Sequence, residues 1–187
     1  MAKVISIGNQ SFESIIKEEC FYIDKTAFIK EWWENKDIVT LITRPRRFGK
    51  TLNMDMIKCF FSNEYRDRGD LFEGLDIWKD EKYRELQGTY PVIFLSFAEI
   101  KTKKFEAARE QICFQIVKLY NENEYLYDSG ILTENEKKFF RSVDMDMSDV
   151  ILSTAINQMC CFMQKYYGKK VIVLLDEYDT PMQESYI

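Results

Sequence analysis

At 187 residues the chain can bury about 70% of its unfolded surface in one sizeable domain, and 46% apolar and 15% aromatic residues with three Pro and seven Gly exclude a disordered chain. A net charge of −5 and the absence of histidine exclude nucleic-acid binding through the whole surface, Ser-His-Asp and Cys-His catalysis, and the usual zinc sites. Any chemistry must use carboxylates, Lys, Arg, hydroxyls or a bound ion.

In chain order, Ser11 to Glu18 carries Phe12, Ile15 and Ile16 on one helical face. After the aromatic Phe21-Tyr22-Ile23, Asp24 reads as the N-cap of a second helix that holds Phe28, Ile29, Trp32 and Trp33 and ends near Asn35. Ile38-Val39-Thr40-Leu41-Ile42-Thr43 is β-branched and almost wholly apolar, the pattern of a strand buried on both faces of a parallel sheet. Beyond the next loop, Leu52, Met56, Cys59 and Phe60 recur at helical spacing as far as Asn63. Glu64 to Tyr90 is polar with anchors at Leu71, Phe72, Leu75, Ile77 and Trp78, and reads as an irregular crossover.

Pro91 introduces a second strand, Val92 to Phe97, and Phe105, Ala108, Ile112, Ile116 and Leu119 mark a long amphipathic helix. Thr133, with Glu136 three residues on, forms a capping-box pattern for a helix around Leu132 to Phe140. Ser148 caps a further helix with Ile151, Ala155, Met159, Phe162, Met163 and Tyr166 inward and Gly168 at its stop. Val171 to Leu175 is the third strand, ended by Asp176-Glu177. Strand, helix, strand, long helices, strand predicts an α/β three-layer domain with a parallel core sheet.

The segment Arg44-Pro45-Arg46-Arg47-Phe48-Gly49-Lys50-Thr51 ends as a phosphate-binding loop does and lies between a predicted strand and a predicted helix. G-x-x-x-x-G-K-[ST] asks for Gly where this chain has Arg44. In such a loop the backbone N–H groups from Arg46 through Arg47, Phe48 and Gly49 to Lys50 face a β-phosphate, and the positive end of the following helix, from Lys50 through Thr51 and Leu52, adds to the attraction. Gly49 lets the backbone approach without a Cβ in the way, Lys50 bridges β- and γ-phosphates, and the Thr51 hydroxyl ligates Mg²⁺. The alternative is that Gly-Lys-Thr is an ordinary helix start and the three arginines a solvated loop.

Asp176 and Glu177 follow a buried-type strand at its carboxyl end, where open α/β sheets hold their ligands. Asp176 suits the metal side, through water, and Glu177 suits a base that polarises an attacking water; otherwise they are two acids in a surface turn. ATP and Mg²⁺ are the implied cofactors.

Phe21-Tyr22-Ile23-Asp24-Lys25-Thr26, Thr43 to Asn53, Pro91 to Phe97 and Leu175-Asp176-Glu177-Tyr178-Asp179 resemble, in order, the motifs of the AAA-ATPase-like proteins of bacteria, P-loop ATPases often joined to a C-terminal nuclease-like domain. The resemblance covers nearly the whole chain and implies a P-loop NTPase-like domain over residues 1–187 in which Arg at the Arg44 position is usual. ATPases of this additional-strand type continue well beyond Glu177 with a further strand and a polar sensor residue. The expectation is therefore the N-terminal portion of such a domain, ending after its Walker B strand. The complete protein is expected to hydrolyse ATP; the alternative is a non-hydrolysing regulatory or interaction module. Nucleotide is the expected partner, together with a protein partner or a second copy, and nucleic acid only through a nuclease-like domain.

Several weaker patterns leave two readings open. Trp32-Trp33 either stacks a base or divides between core and surface, and Asp24-Lys25 either contacts nucleotide or caps the second helix. Asp144, Asp146 and Asp149 lack the Gly and Glu of a calcium loop and read as a solvated turn. The cysteines, Cys20, Cys59, Cys113, Cys160 and Cys161, are odd in number, lack C-x-x-C spacing and read as reduced thiols, mostly buried. With no run of about 18 uncharged apolar residues and no signal-peptide pattern in residues 1–9, no membrane contact and a cytoplasmic location are expected.

Overall fold

Local capping chemistry starts several of the helices, and the apolar faces they carry gather into two cores. In the computed structural model, residues 3–43 and 48–180 are described, and the chain divides into two compact units, Met1–Val92 and Ile93–Ile187.

In the first unit, α1 (Phe12–Lys17) begins where Ser11 Oγ accepts the Ser14 N–H at 3.2 Å. Helix α2 (Ala27–Asn35) differs from expectation at its start: Thr26, not Asp24, holds the N-cap position. Asp24 acts two residues earlier, its Oδ1 accepting the Thr26 N–H at 2.8 Å and hydroxyl at 2.7 Å. Helix α3 (Lys50–Phe61) follows, and Glu64 to Tyr90 is more ordered than its polarity suggests. That stretch forms 3₁₀ turns at Asn63–Tyr65, Gly69–Phe72 and Asp76–Lys79, then α4 (Glu81–Leu86), capped by Asp80. Elements this short carry no full apolar stripe, so periodicity does not announce them.

The core of this unit is aromatic. Phe12, Phe60, Phe61 and Phe72 are fully buried. Phe72 stacks on Phe12 at 5.2 Å between ring centroids and meets Phe60 edge-on at 5.2 Å, geometries that suit the ring quadrupoles. Trp32 and Trp33 both pack on Phe61, each at 5.4 Å.

Ile38 to Thr43 is not a strand, which corrects the sequence reading. Ile38, Val39 and Leu41 are 100%, 86% and 62% exposed. Strand propensity reflects packing on a pleated surface, and a strand also needs a neighbour for its N–H and C=O groups. Among the described residues no neighbour is hydrogen-bonded to this run in a sheet.

In the second unit, β1 (Val92–Ser96, all but its first residue in this unit) and β2 (Ile172–Asp176) form a two-stranded parallel sheet, so the chain is α/β as expected. Ile93 and Leu95 of β1 and Leu174 of β2 are buried, whereas Val173 and Leu175 are 37% and 40% exposed, so β2 shows one face that its apolar sequence does not predict. Helix α5 (Phe105–Glu122) and helix α8 (Asp149–Tyr167) pack together, with Tyr120 donating its hydroxyl to the Ala155 carbonyl at 2.9 Å. Between them in sequence come α6 (Tyr125–Asp128) and α7 (Glu134–Arg141); α7 carries the full Thr133–Glu136 capping box. Ser148 caps α8, and Gly168 ends it in the left-handed conformation at φ 66°.

Phe105 and Tyr166, expected inward, are exposed. Each lies at a helix end, where the apolar stripe runs past the core it covers. Cys20, Cys59 and Cys113 are buried thiols, Cys160 is half-buried and Cys161 exposed. Among the described residues no helix is long and apolar enough to cross a membrane.

Candidate functional site

The two groups of predicted site residues lie in different units. In the first unit, Gly49 precedes α3 with φ 72° and ψ 28°, the left-handed region where a residue with a Cβ is strained. That conformation turns the chain into the helix and places Lys50, Thr51 and Leu52 in its first turn. The helix start carries no side-chain cap and no acidic residue in its first turn. Helices α2, α5 and α6 also start without a side-chain cap, whereas α1, α4, α7 and α8 are closed by Ser11, Asp80, Thr133 and Ser148. Lys50, Thr51 and Leu52 are half-buried and Phe48 is exposed. Arg46 and Arg47, with Arg44 and Pro45, lie outside the described residues.

A second cation reaches this helix start. Lys25 Nζ lies 3.9 Å from the position a Cβ on Gly49 would take, and among the described residues, chain neighbours apart, nothing else comes within 4 Å of that point. Between the two readings of Asp24-Lys25, Asp24 therefore serves structure: it holds the turn at Thr26, and its Oδ2 accepts the Asp76 N–H at 2.7 Å. Burial raises the pKa of Asp24, but the two N–H groups and the Thr26 hydroxyl outweigh it and hold the carboxyl below its ordinary value. The sequence offered Asp24-Lys25 as a nucleotide contact or a cap, and gave no sign that it is Lys25 that approaches Gly49.

In the second unit, β2 ends on Asp176, which is buried, and its carbonyl accepts the Phe97 N–H at 2.9 Å. Glu177 follows immediately with φ 50°, a left-handed conformation uncommon for a residue with a long side chain. The Glu177 carbonyl accepts the Thr180 N–H at 3.0 Å, and its Oε2 accepts the Thr180 hydroxyl at 3.5 Å. A buried acid followed by a strained, half-buried acid at the carboxyl end of a parallel strand is an arrangement that concentrates on function.

The weaker patterns resolve into structure. Trp32 and Trp33 pack on Phe61, with Trp32 donating to Thr40 Oγ1 at 3.0 Å. Asp144 accepts the Asp146 N–H at 2.9 Å, and Asp149 pairs with Arg109 at 2.8 Å. Cys59 is held from reactivity by burial, which pushes its thiol up to about 12.

The family model described as AAA-ATPase-like, predicted AAA-ATPase, matches residues 6–186. An uncharacterized protein from the vnfD 5′ region of Azotobacter chroococcum mcd 1 is 26% identical over 185 residues, which is 98% of this chain and 30% of that protein. The chain thus spans under a third of the length of this relative. No solved structure matches.

Proposed function

The chain belongs to the AAA-ATPase-like family of predicted AAA-ATPases, and on that premise we propose that it binds ATP with Mg²⁺ through a P-loop of which Gly49, Lys50, Thr51 and Leu52 form the helical side. The observation that carries this reading is Gly49 at φ 72°, opening an α3 that has no side-chain cap and places Lys50-Thr51 in its first turn. The N–H groups at a helix start attract anions, and the helix dipole adds to that attraction. A Cβ at Gly49 would intrude where the backbone must approach a phosphate, so the residues present fit the nucleotide.

In this reading Lys50 neutralises phosphate charge, and Arg46 and Arg47, which lie outside the described residues, would add positive charge by their chemistry. Thr51 and Asp176 would hold Mg²⁺, whose contribution when bound is to offset the charge of the phosphate oxygens. Glu177 is the residue for a base that takes a proton from the attacking water. These residues bind, orient and hold a proton, and catalysis of this kind comes mainly from positioning and electrostatics. The three-layer P-loop architecture is part of the same proposal, as is hydrolysis by the whole protein.

Titration of the 187-residue chain with a fluorescent ATP analogue and Mg²⁺ tests the reading. Lys50→Ala is expected to abolish saturable binding with the far-UV dichroism unchanged; equal affinity in a folded variant overturns the P-loop assignment. Turnover by the whole protein, lost in Glu177→Gln, would identify a hydrolase, and binding without turnover by the whole protein a nucleotide-holding module.

A further inference from the structure

The backbone around Lys25 is fixed on both sides. On one side the Lys25 carbonyl accepts the Phe28 N–H at 3.0 Å, and on the other the nearby Tyr22 hydroxyl donates to Met56 Sδ at 3.1 Å. Asp24 is occupied by the N–H groups of Thr26 and Asp76, and Thr26 is fully buried with its hydroxyl accepting the Ile77 N–H at 3.1 Å. The side chains flanking Lys25 are thus consumed in holding the turn, and Lys25 is the one that projects from it toward Gly49.

Electrostatics makes that placement unusual. Among the described residues no carboxylate pairs with Lys25. Its ammonium instead stands beside the positive end of α3, in the half of the site that already holds Lys50. Two ammonium groups and a helix N-terminus are unfavourable company with nothing between them, and a polyanion reverses the sign of every one of those interactions.

We propose that Lys25 is a second phosphate-binding lysine of the nucleotide site, contributing a point charge to the triphosphate in addition to Lys50. The proposal rests on the ATP-binding reading above and adds to it a residue from outside the phosphate-loop motif, delivered by the turn that Asp24 and Thr26 lock. Lys25 binds phosphate through its ammonium alone, so charge without the same reach, as in Lys25→Arg, retains part of the effect.

The test uses the 187-residue chain with a fluorescent ATP analogue and Mg²⁺, comparing wild type, Lys25→Ala, Lys25→Arg and Lys50→Ala, each checked for fold by its dichroism and melting curve. Lys25→Ala is expected to weaken binding about ten- to a hundredfold, the range of a charge-assisted hydrogen bond, with Lys25→Arg between it and wild type. An acyl-phosphate derivative of ATP, which acylates lysines beside bound phosphates, is expected to modify Lys25 and Lys50 in the wild type, with excess ATP protecting both. Wild-type affinity in folded Lys25→Ala, or no ATP-protected acylation of Lys25, overturns the proposal when Lys50→Ala has lost binding. Equal binding by wild type and Lys50→Ala would mean instead that the phosphate-loop reading itself has failed. The acylation pattern of the wild type decides the matter should Lys25→Ala not fold.

Discussion

The backbone N–H of Phe12 donates to Asp55 Oδ2 at 2.7 Å, so an acid from α3 satisfies the first residue of α1. Burial pushes the Asp55 carboxyl above its ordinary value, against the opposing effects of this N–H and of Lys58. Asp55→Ala leaves a helix-start donor without its acceptor and is expected to cost about 1–3 kcal/mol. Asp55→Asn keeps an acceptor and drops the charge, and is expected to stay within about 0.5 kcal/mol of wild type at neutral pH. The pH dependence has a definite sign. A folded pKa above 3.8 means that the native state binds more protons, so stability falls as pH rises from 3.8 through the folded pKa. Across that window the urea midpoint of wild type should fall relative to that of Asp55→Asn, whatever the common trend set by the other carboxylates; parallel curves would contradict the raised carboxyl.

Two glycines separate backbone strain from steric conflict. Gly88 has φ 67°, and a Cβ there would lie 2.4 Å from Arg66 Cα and 2.9 Å from Arg66 N, backbone atoms that cannot swing aside. Its own N–H donates to the Phe60 carbonyl at 2.8 Å, which fixes it from the other side. Gly130 has φ 78°, and among the described residues, chain neighbours apart, nothing lies within 4 Å of such a Cβ. Gly130→Ala is expected to cost about 1 kcal/mol, the left-handed penalty alone. Gly88→Ala should exceed that by about 2 kcal/mol or more, because overpacking adds to it. Chemical denaturation of both variants checks the difference, and equal losses would place the cost in φ and not in Arg66.

Features governed by neighbouring residues were legible in the sequence. Thr133 with Glu136, Ser148 and Gly168 read correctly because a cap is made by side chains a few residues from the N–H groups they serve. The strands at Val92 and Ile172 read correctly within a residue at each end. Ile38 to Thr43 carries the same kind of pattern and forms no strand, because pairing depends on a partner far away in sequence. A nucleotide contact by Asp24-Lys25 was one of two readings the sequence left open, but what brings Lys25 beside Gly49 was not legible: a turn clamped by Asp76 and Ile77 positions it, and those residues lie some fifty positions on. The left-handed backbone of Glu177 has no compositional sign at all.

Glu13 should give a pH dependence opposite in sign to that of Asp55. Lys17 first and Arg68 second, at 2.7 and 2.5 Å, hold its carboxyl well down, to about 2 from 4.5. A lowered folded pKa stabilises the native state fully above 4.5, and that contribution is lost as pH falls from 4.5 toward about 2. Solvent screening of this partly exposed pair reduces the contribution to about 1 kcal/mol. Glu13→Gln is expected to lower stability by that amount at neutral pH and to converge with wild type in acid, in low-salt thermal melts. A constant offset at all pH values would assign the loss to packing.

Glu177 tests whether the candidate site stores strain. At φ 50° a side chain with a Cβ costs about 1–2 kcal/mol, while glycine adopts the conformation freely at an entropic cost of about 0.5–1 kcal/mol in the unfolded chain. Glu177→Gly is therefore expected to stabilise the chain by about 0.5 kcal/mol, raising the urea midpoint. Glu177→Gln, which keeps the Cβ and the strain, should leave the midpoint unchanged. If Glu177 is the base proposed above, both variants placed in the whole protein lose ATP turnover while only one gains stability, and ATP affinity is kept in each. A gain in stability with turnover intact would make the left-handed residue a feature of the turn to Thr180 alone. A loss of stability in Glu177→Gly would show that the side chain's contact with the Thr180 hydroxyl outweighs the backbone cost.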